Sequence, residues 1–214
     1  MYKIMFVDPD DAATKAEVLA FVSEKSTGGI RAREDWVLEK AIRTGEVLIM
    51  RQGQRLAGVS FVYEFQDLSN KTASFLEMGT MLIPDAEDNG YRLQEMIAVI
   101  HMFNMAYMND RWPIVFAVVE DNTASAHILT KYVKMKRWEP VEDLCLLREQ
   151  SGTPFNPNKT TLIAERAAIL AALSKIESLL IEENRLRSNK NNVEIEVDVH
   201  PINTETLRIA RSGG

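Results

Sequence analysis

The stretch "IPDAEDNGYRL", residues 83–93, lies between a strand-like run and a long apolar helical pattern. A connection of this kind offers unsatisfied backbone N–H groups at the positive end of a helix, and a glycine lets an anion come close to them. That is the chemistry of a phosphate cradle. Gly90 is the glycine, but Asp85, Glu87 and Asp88 share the stretch. Carboxylates in a first helical turn complete the positive end themselves. Like charges placed close together also cost about 1–4 kcal/mol between water-like and protein-surface dielectrics. The stretch can therefore hold an anion or replace one, and Arg92 offsets part of the repulsion.

Other reactive side chains give less. His127 has no Asp, Cys or second His at metal or triad spacing and reads as a helix-face histidine. His101, in "AVIHMFNM", reads as a packed residue with one nitrogen hydrogen-bonded. Lys131, Lys134, Lys136 and Arg137 gather where a helix ends, a place the helix dipole favours for cations. They fit a solvated helix end or an anionic partner surface. The single cysteine, Cys145 in "DLCLLRE", cannot form an intramolecular disulfide and reads as a small core residue. Met96, Met102, Met105 and Met108 fill core gaps or an adaptable interface.

These groups need a scaffold. "YKIMFV" reads as a first strand closed by "DPDD", which suits a turn and a helix start. "AATKAEVLAFVSEKS" is a helix with Val18, Leu19, Phe21 and Val22 on its apolar side, and "REDWVLEKAIRTG" is a second. "EVLIMRQGQRLAGVSFVYEF" is a hairpin around Gly53. "TASFLEMGTMLIP" supplies another strand, and Met96, Ile97, Ile100, Phe103 and Met105 follow at helical spacing. "WPIVFAVVE" is a strand covered on both faces and therefore central. "NTASAHILTKYVKMKRW" opens with an Asn-Thr pair suited to a helix cap, and "EPVEDLCLLRE" gives one or two further strands.

Residues 151–161, "SGTPFNPNKTT", have linker composition. Beyond them Leu162, Ile169, Leu173, Ile176 and Leu180 fall on one seam of an amphipathic helix, which packs on its own domain or pairs with a partner or a second copy. "VEIEVDVHP" alternates strictly, with Val193, Ile195, Val197 and Val199 on one face of a half-buried strand. The expected organisation is a domain over 1–150, a linker over 151–161 and a helix-and-strand extension over 162–214.

Composition bounds the function. The chain of 214 residues carries 25 basic and 31 acidic side chains, a net charge of -6, which argues against sequence-independent nucleic-acid binding. No run approaches the ~20 apolar residues of a membrane span, and "MYKIMFVDPDD" lacks a signal pattern, so a cytoplasmic site of action is expected.

The order strand, helix, helix, hairpin, strand, helix, strand, helix, strand over residues 1–148 resembles the GNAT superfamily of acyl-CoA-dependent N-acyltransferases. Two segments carry the likeness, "LEMGTMLIPDAEDNGYRLQEMI" and "VVEDNTASAHILTKYVKMKRWEPV". In the second, Asn122, Ser125, Ile128 and Lys131 stand where the family has Asn, a small residue, an aliphatic and Lys. The resemblance implies an α/β fold, a GNAT-like mixed central sheet flanked by helices, here with a C-terminal helix and strand extension. It also implies acetyl-CoA as cofactor, with Leu82, Gly90, Arg92, Asn122 and Lys131 as cofactor-binding positions. The family's loop runs Arg or Gln, two residues, Gly, one residue, Gly or Ala. Here Glu87 stands at the first position, Gly90 is kept, and Arg92 replaces the small residue. By the same resemblance Glu77 is the candidate base that deprotonates an amine, and the alternative is a carboxylate paired on the sheet. The family's acid tyrosine would fall on Leu129. Tyr132, three residues later, is the nearest candidate, and the alternative is a packing tyrosine.

Two readings follow from the resemblance. One is a GNAT-fold protein with a degenerate acetyl-CoA site that serves as a structural or interaction subunit. Its partner or self-association surface would be Leu162, Ile169, Leu173, Ile176, Leu180 and the strand from Val193 to Val199. GNAT-like proteins occur in bacteriophage particles, and "EDNTASAHIL" is loosely similar to the helix start of one internal virion protein, which would place the chain in a phage particle. The other is an active N-acetyltransferase acting on an amine, amino acid or protein terminus.

Overall fold

The structure, a computed structural model, describes residues 1–25, 35–43, 47–66, 74–82, 93, 97–98, 100–102, 114–119, 123–131, 133–138, 160–173, 179–182, 185–188 and 193–198. Its frame is one mixed sheet of ten strands. In chain order these are β1 (Tyr2–Phe6), β2 (Val47–Gln52), β3 (Arg55–Gln66), β4 (Ser74–Leu82), β5 (Ile114–Val119), β6 (Lys136–Trp138), β7 (Thr160–Glu165), β8 (Leu179–Glu182), β9 (Arg185–Ser188) and β10 (Val193–Asp198). Across the sheet they run β6-β7-β5-β4-β3-β2-β1-β10-β9-β8. The helices are α1 (Ala12–Lys25), α2 (Asp35–Arg43), α3 (Thr123–Lys131) and α4 (Arg166–Leu173). Residues 93, 97, 98 and 100–102, between β4 and β5, are also helical.

Local chemistry sets the elements. Asp11 caps α1: its Oδ1 accepts from the backbone N–H of Ala13 at 3.1 Å and of Thr14 at 3.0 Å, and its Oδ2 accepts from the Thr14 hydroxyl at 2.7 Å. These bonds satisfy donors that have no intrahelical partner and hold the Asp11 carboxyl below the usual carboxylate range. Val18, Phe21 and Val22, at helical spacing, turn the buried side of α1 inward. In α2, Leu38, Ala41 and Ile42 do the same, with Asp35 in the first turn and Lys40 and Arg43 in the last. The β2–β3 hairpin turns at Gly53, whose φ of 61° favours a residue without a Cβ. Arg51, just before that turn, donates to both carboxylate oxygens of Glu17 at 3.3 and 2.6 Å, which ties the hairpin to α1.

Sheet register separates two faces. Phe6, Leu48 and Ser60 form one row across β1, β2 and β3. Arg51, an odd number of residues from Leu48, points to the opposite face, where α1 receives it. The helical residues around His101 therefore cover one face, and α1 covers the other.

The C-terminal part departs from the sequence expectation. The linker was expected to reach residue 161 and a helix to begin at Leu162. Instead Thr160–Glu165 form β7, antiparallel to β5 and to β6 and lying between them. The helix is shorter than the seam, ending at Leu173, and Leu180 lies on strand β8. The β-branched pair Thr160 and Thr161 favours strand at this boundary. Leu162 and Ile169, on the seam expected to pack on its own domain or to pair with a partner, are 3% and 0% exposed inside this chain. The strand expected from Val193 to Val199 is observed as β10 over Val193–Asp198, parallel to β1 and antiparallel to β9, so both its edges are filled intramolecularly, and Val199 lies outside the described residues. Lys3 anchors it through Asp198 at 2.9 Å and Glu196 at 3.4 Å. The strands expected in "EPVEDLCLLRE", with Cys145, lie outside the described residues.

Candidate functional site

β4 and β5 are neighbouring parallel strands, yet their pairing covers only Phe75–Glu77 against Ile114–Phe116. Past that point β4 continues to Leu82 paired with β3, and β5 continues to Val119 paired with β7. Among the described residues nothing pairs with 78–82 of β4 on the side toward β5. The two strands thus part company at Glu77 and Phe116 and leave a fork at their carboxyl ends. A free strand edge presents backbone N–H and C=O groups in a row, ready to pair with an extended ligand that carries amides. The carboxyl ends of parallel strands are also where open α/β sheets take ligands.

Glu77 is the last paired residue of β4 toward β5, with Tyr63 of β3 on its other side. The sequence candidate for a base therefore stands at the apex of the fork. Leu82 ends β4. The segment carrying Gly90 and Arg92 leaves β4 beyond it, and the segment carrying Asn122 leaves β5 before α3, so both connections depart from the open end of the fork. Gly90, Arg92, Asn122 and Tyr132 lie outside the described residues. Lys131 is exposed at the end of α3, and His127 is exposed on the same helix. Among the described residues no group of His, Cys, Asp and Glu could hold a metal ion, and no helix is long and apolar enough to cross a membrane.

Two features of the fork wall escaped the sequence reading. Gly79, on the free stretch of β4, stands opposite Phe61 of β3, and the Phe61 ring covers its Cα. A glycine inside the strand-like "FLEMGTML" was the available signal, since glycine in a strand interior marks a close approach. On the other face, Ser60, in register with Thr80 of β4, hydrogen-bonds through Oγ to Nδ1 of His101 at 2.7 Å. Both residues are fully buried, and Phe6 meets the imidazole edge-on with ring centres 6.4 Å apart. Burial pushes the His101 imidazole down to about 3, so it is neutral at physiological pH. Its Nε2 has no hydrogen-bond partner among the described residues. As expected, the residue packs with one nitrogen bonded.

The chain matches no family model and no curated protein. Solved structures do match it. A GNAT-family acetyltransferase from Streptococcus pneumoniae aligns at TM-score 0.55 with 13% identity, covering 77% of this chain and 99% of that one. A GNAT-superfamily phosphinothricin acetyltransferase from Sinorhizobium meliloti, in complex with AcCoA, aligns at 0.54 with 9% identity over 77% and 88%. N-acetylglutamate synthase from Neisseria gonorrhoeae, complexed with coenzyme A and N-acetyl-glutamate, aligns at 0.50 with 16% identity. The match covers 77% of this chain and 35% of that longer one. At such identities the likeness speaks for architecture: a mixed sheet flanked by helices in the arrangement of the GNAT fold.

Proposed function

We propose that this GNAT-fold chain binds an acyl-coenzyme A in the β4–β5 fork and transfers the acyl group to an amine. The observation that carries the reading is the parting of the two parallel strands at Glu77, after which no described residue pairs with 78–82 of β4 on the side toward β5. The pantetheine arm of coenzyme A is an extended chain with two amides, and such an edge suits it. Solved structures of the same fold include complexes with acetyl-CoA and with coenzyme A.

When bound, the cofactor supplies an activated thioester. Leu82, Gly90, Arg92, Asn122 and Lys131 are the chain's candidates to hold it, through the β4 end and the two connections that leave the fork. Glu77, at the apex, is the candidate to take a proton from the acceptor amine, directly or through water, and so generate the neutral nucleophile. Tyr132 is the candidate to return a proton to the departing thiolate. The acceptor class is an amine, an amino acid or a protein terminus.

A second reading has its own support. Asp85, Glu87 and Asp88 crowd the stretch where an anionic pyrophosphate would sit, and β10, β9 and β8 enlarge the sheet on the side away from the fork. On this reading the chain is a structural or interaction subunit of a larger assembly, a phage particle included, and its site no longer binds acetyl-CoA. Titration calorimetry with acetyl-CoA separates the two. Saturable micromolar binding, with turnover abolished in Glu77→Gln while binding persists, supports the transferase. No heat at millimolar acetyl-CoA overturns it in favour of the structural role.

A further inference from the structure

The apex of the fork is one point on a register row that continues to the edge of the sheet. Glu77 of β4 pairs with Phe116 of β5, Phe116 with Ile163 of β7, and Ile163 with Lys136 of β6. Residues paired across neighbouring strands share a face of the sheet. Along β7 the two faces differ: Leu162 and Ala164 are buried, whereas Ile163 is half-buried and Glu165 is exposed. The row that contains Glu77 therefore runs along the open face of this flank, and it ends on an exposed cation, Lys136.

Lys136 is placed unlike the cations beside it in sequence. Arg137 pairs with Leu162 and so belongs to the closed face, while Lys131 and Lys134 precede β6 at the end of α3. Among the described residues Lys136 makes no ion pair. Glu165, the acid on the same face of β7, pairs with Ile114, below the level of the apex and away from the open end of the fork. Three strand spacings of about 4.8 Å put Lys136 about 14 Å from Glu77 along the row. A lysine carries a point charge on a flexible four-carbon stem, so its ammonium can lean back over Ile163 toward the fork.

We propose that Lys136 selects the acceptor, which is an amine that also carries a carboxylate; the proposal rests on the transferase reading. Lys136 holds the carboxylate, the half-buried Ile163 supplies an apolar floor for the carbon chain, and the amine is left toward Glu77. The length of the row sets the acceptor's size, with the amine and the carboxylate a few bonds apart. An amino acid or a short peptide fits that separation, and a simple alkylamine does not satisfy the cation. Lys136 is thus a specificity-determining residue.

Acetyl transfer by the full chain from acetyl-CoA tests it, with L-alanine, 4-aminobutyrate and L-alanyl-L-alanine as acceptors, each beside its primary carboxamide. The acid-to-amide ratio of kcat/KM is compared between wild type and Lys136→Met, which cancels the intrinsic difference in amine basicity. For the acid used best, Lys136→Met is expected to lower that ratio about two- to fivefold, the range for an exposed charge pair, through KM and with kcat unchanged. Lys136→Arg is expected to keep the ratio, and high salt to erase the difference between wild type and Lys136→Met. Lys136 is exposed, so none of these changes removes a core contact. An unchanged ratio in Lys136→Met overturns the inference and leaves the transferase reading standing. So does protein that binds acetyl-CoA and turns over none of the acids. Calorimetry with acetyl-CoA tests that reading separately, and absence of heat there overturns both.

Discussion

The ring of Phe61 fills the space in which Gly79 would carry a side chain: a Cβ built on Gly79 falls 2.5 Å from Phe61 Cε2. The two residues face each other across β3 and β4, and Phe61 is 3% exposed, so the ring has little room to withdraw. Gly79→Ala is expected to cost about 1–3 kcal/mol, the range for overpacking a tight core. Adding Phe61→Leu should recover much of that loss, because the clash lies at the ring edge. Urea unfolding of the single and double variants measures it, and additive losses in the pair would count against the close approach as the cause.

The β10 strand is held by its buried face far more than by its ion pairs. Ile195 and Val197 are 0% and 4% exposed beside Tyr2 and Ile4 of β1, whereas Asp198 is 62% exposed in its contact with Lys3. Truncating a buried isoleucine typically costs about 2–5 kcal/mol. An exposed pair is worth about 0–1 kcal/mol after solvent screening. Ile195→Ala should therefore lower the unfolding midpoint strongly and Asp198→Asn barely. Equal effects would mean that the Lys3 cluster holds the strand. The same geometry bears on truncation. Removing 151–214 takes out β7 from between β5 and β6 and should leave no folded product.

Asp11 gives a pH dependence with a definite sign. Backbone and hydroxyl hydrogen bonds from Thr14, and then the Ala13 N–H, hold its carboxyl below the ordinary value of 3.8. A depressed carboxylate contributes stability that is complete above the unfolded value and is lost as pH falls through the folded one. Thermal melts of wild type and Asp11→Asn should run parallel above about pH 5 and converge in the acid range, since asparagine keeps the acceptor but not the charge. A constant offset down to pH 2.5 would show that the charge of Asp11 contributes nothing.

The elements that could be read directly from the sequence were those whose signal is local. The α1 stripe, the α2 helical run and the Gly53 hairpin declare themselves within a dozen residues. The apolar run of β5 also places it centrally, as observed between β4 and β7. β7 was missed because Leu162 keeps helical phase with Ile169 and Leu173, and only Thr160 and Thr161 speak for strand. β8 and β9, at four residues each, are too short to show a period. The fork was not legible at all. It is a relation between strands some 35 residues apart, and neither strand's pattern says where its pairing stops. Glu77, the candidate base that the resemblance implies, is the last residue of β4 paired on both sides.

Lys134 supplies the last test. It adopts φ 60° where α3 ends, a left-handed conformation that side chains with a Cβ resist. The turn it makes lets the backbone N–H of Met135 donate to the carbonyl of Leu129 at 3.0 Å, with Leu129, Val133 and Met135 all buried around it. Helices that end in this way usually place glycine at the left-handed residue. The lysine side chain is exposed, so exchanging it removes no core contact. Lys134→Gly should therefore stabilise the chain by about 0.5–1 kcal/mol, the strain relieved outweighing the extra freedom of glycine in the unfolded state. Lys134→Val, with a β-branched side chain at the same φ, should destabilise it. Chemical denaturation of the three proteins should rank them glycine, lysine, valine. If glycine instead falls below lysine, the side chain makes a compensating interaction at the helix end that outweighs its backbone strain.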